Sequence, residues 1–268
     1  MNGLQHIADA FSLAIGYQRG ALMPYFTLGF PTGPASLEVV EAIAAAGADL
    51  IELGLPFSDP LADGPTIQRS TQIALENGMT INECLKMVRT LRERGVSIPL
   101  LLMGYYNPIL AYGPEGFVAD ACLAGADGLI VPDLPLEEAA VLEGACRQNG
   151  LALVYLVAPT TPEARLAQVT AHSTGFVYIV SLTGVTGARA SLAEGLPEFL
   201  QRVRRVTDKP LAVGFGISTP EQAAQVGALA EGVIVGSAVI DIAGKSAHPA
   251  ALVGSFVTDL SKAIKNGI

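Results

Sequence analysis

The chain has 268 residues, half of them hydrophobic and 15% charged, a composition that suits one large buried core and excludes a disordered or fibrous polymer. Its formal charge of −9, with no long basic run, argues against nucleic acid and anionic membrane as partners, since both demand clustered Lys and Arg. The N-terminus lacks a charged-then-apolar leader and no apolar stretch approaches the roughly 18 residues of a membrane span, so the expected location is the cytoplasm. Residues 3–17 place Leu4, Ile7, Phe11, Ala14 and Ile15 at a helical period, which predicts a leading helix over one end of the core. Short apolar runs then alternate with helical patterns. Strands are expected at 22–27, 50–53, 100–103, 128–131, 152–157, 176–180, 211–213 and 232–235. Helices are expected between and after them at 35–46, 80–94, 114–124, 136–148, 162–171, 192–205, 219–227 and 248–264.

A repeat supports that order. Ala46-Gly47-Ala48-Asp49 before strand 2 recurs as Ala124-Gly125-Ala126-Asp127 and, more loosely, as Ala228-Leu229-Ala230-Glu231, each followed by an apolar strand. Eight strands each followed by a helix imply an α/β fold, a (β/α)8 TIM barrel spanning 1–268 as a single domain, with the N-terminal helix and a further helix at 66–76 after strand 2 as extras. Cys84, Cys122 and Cys146 are far apart and read as free thiols, and His6, His172 and His248 do not cluster, so no metal site is expected.

The chain is organised around the loop after strand 2, which carries Glu52, Asp59 and Asp63. Pro56, Pro60 and Pro65 stiffen it. Stiffness suits a pair of carboxylates that must give and take protons at fixed points on one substrate. Asp59 and Asp63 read equally as turn residues bonding their own backbone. Barrels keep their active sites at this face, which favours chemistry for Glu52 and Asp63.

Glycine-bearing segments follow the last three strands: Thr183 to Arg189, Gly214-Phe215-Gly216 and Gly236-Ser237. Glycine lets the backbone approach an anion and a helix start offers N–H groups to it, so these segments are expected to bind phosphate, with a short helix opening at Ser237. The third glycine and distal acid of a dinucleotide fingerprint are missing. The small polar residues around Thr186 suit either a mobile lid or a plain exposed loop.

With these segments in hand, the chain closely resembles the tryptophan synthase alpha subunit family. The resemblance rests on Pro56-Phe57-Ser58-Asp59-Pro60-Leu61-Ala62-Asp63-Gly64-Pro65, the loop Met103-Gly104-Tyr105-Tyr106-Asn107-Pro108, Val131-Pro132-Asp133, Ala158-Pro159-Thr160-Thr161-Pro162, Gly184-Val185-Thr186-Gly187, Gly214-Phe215-Gly216-Ile217 and Gly236-Ser237-Ala238. It departs from the family at Glu231, where Asp is common, and at Pro135-Leu136-Glu137.

The resemblance implies a lyase that cleaves indole-3-glycerol phosphate by a retro-aldol step to indole and glyceraldehyde 3-phosphate, with no cofactor in this chain. It implies Glu52 as general acid and base, and Asp63 as the carboxylate that meets the indole N–H. It implies Tyr25, Leu102, Ile130, Tyr178 and Phe215 around the substrate, each of which also reads as barrel packing, with Thr186 on the lid. Gly187, Gly216, Gly236 and Ser237 would hold the phosphate.

It further implies a pyridoxal-phosphate beta subunit as partner in an α2β2 complex, contacted through Pro56, Phe57, Asn107, Pro108 and Asp133. The same residues would serve a stand-alone lyase that releases free indole. A non-catalytic regulatory barrel fits less well, because the acidic pair is intact. An aldolase using a Schiff base would want a lysine at a strand end, and none stands there.

Overall fold

The computed structural model describes residues 2–181, 195–214 and 216–266. In chain order the elements are α1 (Gly3–Gly16), β1 (Ala21–Thr27), α2 (Gly33–Ala45), β2 (Ile51–Gly54), α3 (Pro65–Glu76), α4 (Ile81–Glu93), β3 (Leu100–Met103), α5 (Tyr106–Tyr112), α6 (Pro114–Ala124) and β4 (Gly128–Ile130). Then come α7 (Ala140–Asn149), β5 (Ala152–Val154), β6 (Leu156–Val157), α8 (Glu163–His172), β7 (Val177–Val180), α9 (Leu196–Arg204), β8 (Leu211–Gly214), α10 (Pro220–Gly227), β9 (Gly232–Val235), α11 (Ser237–Gly244) and α12 (Pro249–Asn266). Asn2, Thr32, Thr80 and Thr219 cap helix starts with side-chain oxygens. Among the described residues no helix is long and apolar enough to cross a membrane.

All pairings are parallel, in the order β5-β4-β3-β2-β1-β9-β8-β7-β6. The two ends of that order are halves of the single expected strand 152–157, interrupted at Tyr155. Its N–H donates to Ser173 Oγ at 3.0 Å, while its carbonyl accepts from the Tyr178 N–H at 3.0 Å. The ladder therefore passes through Tyr155 and the sheet comes round as a barrel. Side chains alternate along each strand: Leu22, Ile51, Leu53, Leu100, Leu102 and Val213 pack outward against helices, while Met23, Leu101, Ile130, Val154, Ala212 and Ile234 fill the interior. Ile7 and Phe11 of α1 join that interior at its amino-terminal end, Phe11 meeting Phe176 at 5.5 Å between ring centroids.

The repeated acid before a strand has one job in all three copies. Asp49 accepts from the Leu22 N–H at 2.8 Å and binds Arg19 through two bonds of 2.6 and 2.7 Å. Asp127 accepts from the Leu100 N–H at 2.8 Å, from Arg92 and from His6. Glu231 accepts from the Leu211 N–H at 2.9 Å and from Arg204 at 2.7 Å. Each carboxylate thus ties the start of its own strand to the start of the preceding one in the ring.

Two expectations are corrected. The loop after β3 contains a helix, α5, whose first N–H (Tyr106) donates to Asp133 Oδ1 at 2.8 Å. Pro108 is its third residue, where a missing N–H costs nothing within the helix. The helix expected at 136–148 begins as a 3-10 turn, Leu136–Glu138, and becomes α-helical only from Ala140.

Candidate active site

Alternation along β2 sends Ile51 and Leu53 outward and Glu52 inward, beside Tyr25 of β1 and Leu101 of β3 in register. Glu52 is fully buried, and neither carboxyl oxygen has a hydrogen-bond partner among the described residues. Burial without compensating donors favours the neutral form and pushes its pKa up to about 8. It holds a proton at neutral pH. At the next inward position a Cβ on Gly54 would collide with the Tyr25 hydroxyl, so glycine is what lets the Tyr25 ring lie across the end of β2.

The loop after β2 separates its two aspartates. Asp59 is exposed and takes the Ser58 hydroxyl at 2.6 Å, a turn residue outside the cavity. The Asp63 N–H also closes a turn, onto the Pro60 carbonyl at 3.0 Å, but its carboxyl faces inward and accepts from Tyr105 Oη at 3.0 Å. Tyr105 is itself held by the Ala62 N–H at 2.9 Å, and Gln68 Nε2 donates to the Asp63 carbonyl at 2.8 Å. Burial pushes the Asp63 pKa up to about 6, with the Tyr105 bond opposing the rise.

Both carboxyls open into one cavity of about 440 Å³ at the carboxyl ends of the strands. Tyr25, Met103, Tyr178 and Ile234 line it beside them. Burial, reinforced by the carboxyls, raises the hydroxyl pKa of Tyr25 and of Tyr178. The same cavity is lined by Gly216, Ile217, Ser218, Gly236, Ser237 and Ala238. Gly216 has φ of +80°, a backbone that glycine alone adopts without strain. Ser237 is the first residue of α11, the short helix expected there, which is eight residues long. Its first N–H groups have no partner within the helix, the arrangement that receives anions.

The structure brings Tyr25, Glu52, Asp63, Tyr178, Gly216, Gly236 and Ser237 together as expected. Leu102 is corrected: it belongs to the outward layer, and the next residue, Met103, reaches the cavity. A one-residue slip on a strand changes the face. Ile130 points into the barrel but packs in the interior core, outside the cavity lining. Thr186, Gly187 and Phe215 lie outside the described residues.

Pro56 and Phe57 are half-buried, the Phe57 ring 5.5 Å from that of Tyr105, while Asn107 and Asp133 are exposed and Pro108 is half-buried. Sequence reasoning missed Met103, Thr66 and Asp241 as lining of the cavity, and Tyr105 as the donor that holds Asp63. Asp241 stands one turn beyond Ser237 on α11, a spacing that could have marked it. Among the described residues no cluster of three His, Cys, Asp or Glu side chains could hold a metal ion.

A closed parallel barrel whose cavity sets two carboxyls of raised pKa at the carboxyl ends of its strands defines a (β/α)8-barrel enzyme of acid–base chemistry. Comparison with known proteins narrows the class. The family model described as tryptophan synthase alpha chain matches residues 11–265. A tryptophan synthase alpha chain of Chloroflexus aggregans is 57% identical over 238 residues, 89% of each chain. A Mycobacterium tuberculosis tryptophan synthase structure superposes with a TM-score of 0.90 at 37% identity, covering 97% of this chain and 98% of that one. The alpha subunit of Legionella pneumophila gives 0.88 at 37% identity over 99% of both. The chain belongs to the tryptophan synthase alpha chain family.

Proposed function

We propose that this chain is the alpha subunit of a tryptophan synthase, in which Glu52 and Asp63 carry the retro-aldol cleavage of indole-3-glycerol phosphate to indole and glyceraldehyde 3-phosphate. The observation that carries the residue assignment is Glu52 itself: a fully buried carboxyl with no partner for either oxygen, facing the cavity. A buried orphan of this kind costs stability and is retained where a substrate completes it.

The carboxyl acid of Glu52 gives its proton to C3 of the indole, and the ring nitrogen takes up positive charge. The Asp63 carboxylate accepts the N–H and stabilises that charge. Glu52, now a carboxylate, takes the proton of the hydroxyl on the carbon attached to C3. The carbon–carbon bond breaks, its electrons neutralise the ring, and the aldehyde leaves with the phosphate arm. The N–H groups at Gly236 and Ser237, with Gly216, receive the phosphate.

In this reading the chain works in the cytoplasm without a cofactor of its own, and a pyridoxal-phosphate beta subunit joins it in an α2β2 heterotetramer. Pro56, Phe57, Asn107, Pro108 and Asp133 form its contact. They lie in the segments that follow β2, β3 and β4, the strands whose carboxyl ends bear the cavity, and the loop after β2 also carries an almost fully exposed Leu61, which supports that assignment.

The test is indole release from indole-3-glycerol phosphate by the purified chain, with and without a tryptophan synthase beta subunit. Weak release that rises strongly with the partner is the expected result. Glu52→Gln should abolish cleavage and leave folding and phosphate binding intact; cleavage at the parent rate would remove Glu52 from the mechanism.

A further inference from the structure

A row of three buried hydroxyls leaves the cavity wall and ends on a backbone carbonyl. Tyr25 Oη lies 3.2 Å from Thr27 Oγ1, Thr27 Oγ1 lies 2.7 Å from Ser70 Oγ, and Ser70 Oγ lies 2.8 Å from the Ile67 carbonyl oxygen. Thr27 and Ser70 are fully buried and Tyr25 is nearly so. The row spans from β1 to α3, the helix that begins just after Asp63.

The direction of its protons follows from its last member. A carbonyl has no hydrogen to give, so the single hydrogen of Ser70 must lie on the Ile67 oxygen. The contact between Thr27 and Ser70 is then filled by the only hydrogen of Thr27, and the contact between Tyr25 and Thr27 by the hydrogen of Tyr25. Any other orientation leaves two oxygens at contact with no proton between them.

We infer that Thr27 and Ser70 act as positioning residues that draw the Tyr25 phenolic proton away from the cavity, so that Tyr25 meets substrate only as an acceptor and gives no hydrogen to the acidic pair. The inference rests on the reading of Glu52 as the proton donor. Tyr25 and Glu52 are register neighbours with inward side chains on adjacent strands. The other titratable groups facing them are Asp63 from the loop after β2, Tyr105 after β3 and Tyr178 from β7. A hydrogen bond donated by Tyr25 would stabilise the Glu52 carboxylate and make its acid form scarcer at neutral pH. The row withholds that bond. Neither Glu52 oxygen has a partner within hydrogen-bond distance among the described residues, and the printed contact of the Tyr25 hydroxyl is with Thr27, so release of that hydroxyl is what would let it turn toward the carboxyl.

The experiment is the pH profile of kcat/KM for the full chain on indole-3-glycerol phosphate. Thr27→Val removes the acceptor of the Tyr25 proton at almost constant shape. It should move the basic limb down by about one pH unit, the scale of a hydrogen bond to a charged group. Ser70→Ala breaks the row one step later and should act in the same direction, which keeps the inference testable if Thr27→Val fails to fold.

Thr27→Ser keeps the hydroxyl and should keep the limb at the parent pH. Tyr25→Phe, whatever it does to the rate, has no proton to release and should leave the limb in place, alone and combined with Thr27→Val. A limb unmoved by Thr27→Val and Ser70→Ala, or moved equally by Tyr25→Phe, would overturn the inference. Failure of the underlying reading shows differently, as parent-rate cleavage by Glu52→Gln.

Discussion

Asp63 stands under two opposed effects. Burial raises its pKa to about 6, and the hydrogen bond from Tyr105 holds it below what burial alone would produce. In the proposed mechanism Asp63 must be ionised and Glu52 protonated in the free enzyme. The kcat/KM profile should therefore be a bell with its acid limb near pH 6 and its basic limb near pH 8.

Tyr105→Phe removes a donor to the carboxylate, so the Asp63 pKa rises and the acid limb should move up by about one unit. Asp63→Asn should erase that limb and lower kcat by roughly 100-fold or more, the usual effect of losing a group that stabilises charge in the transition state. An acid limb that survives in Asp63→Asn would assign it to another group.

At the scale of elements, the repeated acid is both the clearest sequence signal and a graded experiment. Asp127 is almost buried, and Arg92 and the Leu100 N–H converge on it. Asp127→Ala takes the carboxylate from a partly buried guanidinium, which keeps the carbonyls of Gly125, Val96 and Ile98, and leaves a buried strand N–H unpaired, and should cost about 3 kcal/mol in chemical denaturation. Glu231 and Arg204 are partly exposed, so Arg204→Ala should cost less than about 1 kcal/mol. Arg204→Ala also leaves Glu231 on the Leu211 N–H, so equal losses would mean that neither burial nor the strand N–H sets the cost.

The Ala-Gly-Ala-Asp repeat was legible because one backbone need recurs at each site, and the strand and helix order followed from it. The break at Tyr155 was not legible, because its cause is the Ser173 hydroxyl some distance along the chain. Helix α5 was hidden for a like reason: its first N–H is satisfied by Asp133, from the next loop. Glu52 and Asp63 could be read because proline and glycine mark a stiff loop in local sequence. Leu102 was misplaced because an unbroken apolar strand shows no period from which to tell its two faces apart.

Across the whole molecule, the fold carries Glu52 at a cost that depends on pH. Its pKa is about 8 in the native state against 4.5, the ordinary value for a glutamate in an unfolded chain. Between those values the unfolded chain has released a proton that the native state still binds, so stability falls as pH rises through that window and levels off above it. Below about 4.5 the contribution is fully present; above about 8 it is lost. Gln at this position is neutral throughout. Glu52→Gln should therefore gain stability relative to the parent as pH is raised from 5 to 8, by about 3 kcal/mol once water entry and relaxation reduce the full shift. Urea denaturation of both proteins at the two pH values measures it, and a constant difference between them would mean that Glu52 is not the neutral, buried acid on which the proposed cleavage depends. The gain would accompany loss of cleavage, as expected where an active site keeps a group that the fold alone would replace.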